Sequence, residues 1–193
     1  SPAKGLSKQQ LYYSYYRFDH EVVEYVKKQG SIKGFNGKCY LDKITLDIDK
    51  GDKNDEELLK QVREFVNDIT YGLDVPEAWV IPWFSGNGYH ICLPDIFCLK
   101  GSIDLPKIVK DTINHYLPDG HDNIYDKSRL IRAPYSINNK TGLHKIPLKT
   151  SELFNLSHNE IHELAKSFEE FTDMIATRKD VPINVIKLTK SIL

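Results

Sequence analysis

The sequence is short of cysteine, of long apolar runs and of net charge, and each shortage removes a class of protein. Its three cysteines, Cys39, Cys92 and Cys98, lack the close paired spacing of a zinc ribbon or finger. They read as reduced, mostly structural thiols, and no zinc is expected. No apolar run approaches the ~20 residues of a membrane span, and no signal-peptide pattern opens the chain. A cytoplasmic protein without a membrane partner is the expectation. The 26 Lys and Arg residues offset 27 Asp and Glu to a net charge of -1, so nothing draws the whole molecule to a polyanion. Any such site has to be local. Repeats and low-complexity segments are missing too. The opening SPAKG lacks a methionine, which suggests a domain taken from a longer parent chain with other domains.

What is there suffices for one substantial core: 193 residues, 40% hydrophobic and 11% aromatic, read as a single domain over residues 1–193. Residues 9–29, rich in tyrosine, read as a helical entry segment with Asp19 as N-cap and Val22, Val23 and Val26 at helical spacing. KCYLDKITLDID alternates as a strand. A helix follows, opened by the capping box Asn54 and Glu57, with Leu58, Val62, Phe65 and Ile69 on one face. AWVIPWFS and YHICLP, separated by GNG, suggest an antiparallel hairpin. A helix from Leu105 carries Ile108, Val109 and Ile113 inward. After short strands and turns, a long C-terminal helix capped by Ser157 and Glu160 sets Ile161, Leu164, Phe168 and Phe171 in register. The mixed order favours an α+β fold over a doubly wound parallel sheet.

Three constellations carry chemistry. Asp47 and Asp49 stand at i and i+2 of a strand, so they share a face with Thr45 while Leu46 and Ile48 face the core. Two carboxylates so close repel each other, and a divalent cation removes the conflict. On that ground, removing either acid from a metal-free protein relieves repulsion. An isolated Asp-x-Asp is also what a solvated strand end carries. In the second constellation, FSGNGYH, Ser85 and His90 flank Gly86, Asn87 and Gly88, whose backbone N–H groups could cradle a phosphate. Alone, GNG is an ordinary hairpin turn. The third is the stretch from Lys127 to Ser151, with Lys127, Arg129, Arg132, Lys140, Lys145 and Lys149 and no acid at all. Tyr135, Ser136, Asn138, Asn139, Thr141 and His144 add hydrogen bonds or stacking beside those cations. Upstream, Asp122 and Asp126 are candidate partners for the first acids; Asp126 suits the N-cap of the turn KSRL, which leaves Asp122 as the better ligand.

ITLDIDK, SGNGYHICLP and HDNIYDKSRLIRAPYSINNKTGLHKIPL, in that order, resemble the three motifs of the archaeo-eukaryotic primase superfamily. RAPYSINNKTG is similar to primase-polymerases of phages, plasmids and CRISPR-associated systems, which implies a prokaryotic, phage or plasmid origin. The resemblance implies an RRM-like catalytic unit packed against a second small α/β lobe. It implies that Asp47, Asp49 and Asp122 are catalytic and bind two divalent ions, Mg²⁺ or Mn²⁺. Ser85, Gly86, Asn87, Gly88 and His90 would hold the triphosphate of an incoming nucleotide, with Arg132 and Lys140 as further phosphate ligands. Arg129, Tyr135, Asn138, His144 and Lys145 would meet single-stranded DNA template and primer. The implied activity is primase and template-dependent polymerase. A metal-dependent nuclease and a non-catalytic RRM-like nucleic-acid-binding module are the alternatives.

Overall fold

The computed structural model describes residues 9–117 and 119–166. Strands β1 (Tyr12–Ser14) and β2 (Arg17–Phe18) lead into helix α1 (Glu21–Gln29), followed by β3 (Cys39–Tyr40), β4 (Lys43–Ile48) and α2 (Asp55–Asn67). Next come β5 (Ile81–Phe84), β6 (Tyr89–Pro94), α3 (Leu105–Tyr116), β7 (Leu130–Arg132), β8 (Ile146–Pro147), α4 (Thr150–Asn155) and α5 (His158–Leu164). The arrangement is mixed α and β, with antiparallel sheets, as the element order suggests. Among the described residues no helix is long and apolar enough to cross a membrane.

Helix α2 begins where its sequence says it should. The Asn54 side chain accepts from the Glu56 and Glu57 N–H groups, and the Glu57 carboxylate accepts in return from the Asn54 N–H at 2.8 Å. Three donors that a helix start would leave bare are thereby satisfied. Its face of Leu58, Val62 and Phe65 is buried, and a π-helical turn over Asp68–Gly72 carries Ile69 into the same core.

The central sheet runs β4-β6-β5-β8. The expected hairpin is present, closed by the pair Phe84 and Tyr89, with the Ser85 N–H donating to the Gly88 carbonyl at 2.8 Å. Alternation along the strands sends Ile44, Leu46 and Ile48 of β4 and Tyr89, Ile91 and Leu93 of β6 into one core with α2 and with Leu105, Val109 and Ile113 of α3. The opposite face carries Thr45, Asp47, His90, Cys92 and Trp83, and it is covered as well. Tyr15 Oη accepts from the Thr45 N–H at 3.3 Å, and Lys145 Nζ lies 5.5 Å from the centre of the Trp83 ring.

The tyrosine-rich entry is not helical throughout. Tyr12–Ser14 pairs antiparallel with Leu130–Arg132, and Arg17–Phe18 pairs with Cys39–Tyr40. Aromatic residues suit a pleated, half-buried surface, and Tyr15 and Tyr16 pack edge-on beside it at 4.9 Å. Asp19 does not cap α1. Its carboxylate accepts from Tyr40 Oη at 2.9 Å, and His20 stands at the cap without a side-chain bond. None of the α1 valines is buried. Ile108 of α3 likewise faces out, while Leu105, Val109 and Ile113 are buried. Ser157 caps α5 as expected; Phe168 and Phe171 lie outside the described residues. All three cysteines are free thiols.

Ile91, fully buried on the central strand, is expected to lose about 2–5 kcal/mol of stability on replacement by alanine. Asn54→Ala is expected to cost about 1 kcal/mol through the lost cap. Urea denaturation should show both as lower midpoints at an unchanged slope, the first shift clearly larger.

Candidate functional site

Asp47 lies on β4 and Asp49 just beyond its end, two residues on and therefore on the same face. Asp122 arrives from the loop between α3 and β7, held by its backbone N–H, which donates to the Asp47 carbonyl at 2.8 Å. One carboxylate oxygen from each of the three acids lies within 4.8 Å of the other two. Asp126 stays outside this cluster. Its carboxylate accepts from the Ser128 N–H, the Ser128 hydroxyl and Arg129 Nε, so it serves the local turn.

The two strand acids are electrostatically unlike. Burial and then the neighbouring charges of Asp47 and Asp122 push the Asp49 carboxyl up to about 6, with Arg132 pulling the other way. Burial also acts to raise Asp47, but the His90 hydrogen bond and the charges of His90, Lys145 and Arg129 hold it below the usual range. The raised Asp49 marks a cluster short of positive charge. The donor set consists of carboxylate oxygens alone, with neither nitrogen nor sulfur. Such a set suits a hard divalent ion such as Mg²⁺ or Mn²⁺, and the three acids could hold one.

The glycines of the hairpin are required by contact. A Cβ on Gly88 would come within 2.7 Å of the Ile48 carbonyl and 3.0 Å of Asp49 Oδ1. On Gly86, whose φ is 91°, it would lie 2.9 Å from Asn138 Cβ. The Gly88 N–H donates to Ser85 Oγ at 3.2 Å, so the hydroxyl closes the turn. Asn87 is exposed at the tip. The hairpin therefore rests on the acid cluster on one side and on the 138–143 loop on the other.

His90, expected to face a phosphate, has both ring nitrogens engaged. Nε2 lies 3.2 Å from Asp47 Oδ1, and Nδ1 lies 2.8 Å from Lys145 Nζ. Lys145 Nζ also donates to the Arg132 carbonyl at 2.9 Å. Burial pulls His90 down to about 4 and Lys145 down to about 7.

Lys145, expected to meet nucleic acid, is 1% exposed and has no surface to offer a strand. Asn138 and His144 are also buried; the Asn138 side chain accepts from the Lys140 N–H, and His144 Nδ1 lies 3.2 Å from the Tyr135 carbonyl. Tyr135 is partly exposed at a φ of 63°, unusual for an aromatic residue, with its N–H donating to the Lys145 carbonyl. Arg129 pairs with Asp126, and Lys127 donates inward to the Phe35 and Gly37 carbonyls. The acid-free stretch is thus partly structural. Lys140 is exposed, and Arg132 Nη1 donates to the Ser85 carbonyl while its buried Nε has no partner among the described residues.

A cleft of about 170 Å³ opens beyond Gly86 and Asn87, lined also by Lys50, Asp55, Thr141, His158 and His162. His158 and His162 went unsingled in the sequence. Their i, i+4 spacing on one helix face is the signal that could have marked them.

No family model matches the chain, and no curated protein matches it. Among solved structures it is similar to the polymerase domain of Mycobacterium tuberculosis ligase D in complex with DNA, at 17% identity and a TM-score of 0.44. The likeness covers 80% of this chain, and the chain spans 58% of that structure.

The unlike surroundings of the two strand acids predict opposite responses in metal-free protein. With its folded pKa raised, Asp49 keeps a proton between about pH 4 and 6 that the unfolded chain has lost, so its contribution turns unfavourable as pH rises through that window. Asp49→Asn should remove that loss and stabilise the protein at pH 7 by about 1 kcal/mol once solvent screening is allowed for. Asp47→Ala should instead cost about 1–3 kcal/mol by stranding the His90 N–H. Thermal melts in chelator from pH 4 to 8 would check both signs.

Proposed function

We propose that this chain is a primase-polymerase catalytic domain, spanning residues 1–193 as one domain, with an RRM-like unit around β4 to β6 and a second small α/β lobe. The reading is supported above all by Asp47, Asp49 and Asp122, drawn from two distant segments to within 4.8 Å of one another beside a glycine hairpin. A strand end that merely met solvent would not need a third acid from a separate loop.

In this reading the three acids hold two divalent ions, Mg²⁺ or Mn²⁺. When bound, such ions neutralise the attacking and leaving oxygens of an in-line phosphoryl displacement. A 3′-hydroxyl oxygen bonds to the α-phosphorus of a nucleoside triphosphate, the bond from that phosphorus to the bridging oxygen breaks, and pyrophosphate leaves with the electron pair. The hydroxyl proton passes to solvent.

The side chains orient the reactants. Arg132, whose Nε has no partner among the described residues, and exposed Lys140 grip the phosphates of the incoming nucleotide. Ser85, Gly86, Asn87 and Gly88 shape the wall beside them. His90 serves this site through Asp47 rather than through a phosphate. Tyr135 and Arg129, both partly exposed, are the residues left to contact single-stranded template and primer. For the first bond, which joins two free nucleotides, those contacts replace the positioning a duplex would give.

The decisive experiment incubates the protein with single-stranded DNA, labelled nucleoside triphosphates and Mn²⁺ or Mg²⁺, without primer. Labelled oligomers are expected, and Asp47→Ala and Asp49→Ala should each abolish them. Arg132→Ala and Lys140→Ala should raise the nucleotide KM by roughly 10-fold or more, as loss of a charge-assisted hydrogen bond implies. Full synthesis by Asp49→Ala would end the metal reading. Strand cleavage without nucleotide would identify a nuclease, and metal-independent strand binding without product would identify a binding module.

A further inference from the structure

We propose that Lys145 is a positioning residue that acts through His90 to fix the tautomer of that ring and thereby the orientation of Asp47. The proposal rests on the reading of Asp47 as a metal ligand.

The chemistry of the hydrogen bonds leads there from both ends of the ring. An ammonium carries three donors and no acceptor, so the Lys145 Nζ at 2.8 Å requires a lone pair on His90 Nδ1. A carboxylate only accepts, so the Asp47 Oδ1 at 3.2 Å requires a hydrogen on Nε2. A neutral imidazole meets both demands in one tautomer, with the hydrogen on Nε2. Lysine on one side and aspartate on the other thus select the same form, and a ring so held cannot flip without losing both bonds.

The burial of Lys145 argues that this is more than packing. At 1% exposure its ammonium touches a neutral imidazole, the Arg132 carbonyl at 2.9 Å and the face of Trp83 at 5.5 Å. Among the described residues no carboxylate pairs directly with it within salt-bridge distance. Sinking a cation into such surroundings carries a desolvation penalty that an apolar side chain of the same length would avoid. Its backbone is fixed on both sides, the N–H donating to the Ser136 carbonyl and the carbonyl accepting from the Tyr135 N–H. Through Arg132, whose Nη1 donates to the Ser85 carbonyl, the same lysine is tied to the glycine hairpin. Outer-shell partners of this kind orient a metal ligand and are known to change metal affinity by about 10–100-fold when removed.

The test reads the ring and the metal separately. Long-range ¹H–¹⁵N correlation spectra of the full chain at pH 6, where Lys145 is an ammonium and His90 a neutral ring, should show wild-type His90 with its hydrogen on Nε2. In Lys145→Met, where Asp47 alone still selects the Nε2–H form, the Nδ1–H tautomer should become detectable, and Mn²⁺ titration followed by electron paramagnetic resonance should show affinity weakened by about 10-fold. Circular dichroism establishes that the variant is folded; if it is not, the wild-type spectrum decides alone. A hydrogen on Nδ1 in the wild type overturns the proposal outright. An unchanged tautomer and unchanged Mn²⁺ affinity in folded Lys145→Met overturn it too. Wild-type protein that shows the Nε2–H form but binds no Mn²⁺ would instead sink the metal reading on which the proposal rests.

Discussion

The register of β4 against β6 is the constraint from which the site follows. Asp47 sits opposite His90 and Ile48 opposite Tyr89. Because side chains alternate, a slip of one residue would turn Asp47 into the apolar core and bring Leu46 or Ile48 out. The core residues of β4 and β6 therefore lock the polar ones in place, and the apolar face does as much for the site as the acids themselves. Asp122 then needs only one backbone hydrogen bond to the Asp47 carbonyl to join them.

Much of this frame was legible in the sequence because it is local. The Asn54 and Glu57 cap, the α2 face and the hairpin around GNG each depend on residues a few positions apart, and period and capping chemistry reveal them. The paired acids were legible for the same reason, since i and i+2 on a strand share a face. The tyrosine-rich entry was not. Tyr12–Ser14 is a strand because it finds Leu130–Arg132 more than a hundred residues away, and no local pattern announces that partner. The α1 valines have helical spacing yet none is buried, so amphipathic order there does not mark a core face.

Charge was the least legible property. The run from Lys127 to Lys149 looked like a surface for a polyanion, but sequence carries sign without direction. Lys127 turns to backbone carbonyls and Lys145 goes beneath the sheet. A hint existed: Lys145 sits within LHKIPL, all of which is buried, where a surface lysine would interrupt the apolar run. The equal treatment of Asp47 and Asp49 fails for a related reason. Spacing alone treats the two alike, while the imidazole that separates their protonation comes from β6.

The walls around the hairpin tip also bear on how this protein can vary. Gly88 has no room because of Asp49 and the Ile48 carbonyl, Gly86 is hemmed in by Asn138, and the Ser85 hydroxyl is committed to the turn. Asn87 alone projects outward. Any tailoring of ligand preference at this edge, whether by evolution or in the laboratory, has a single address open to it.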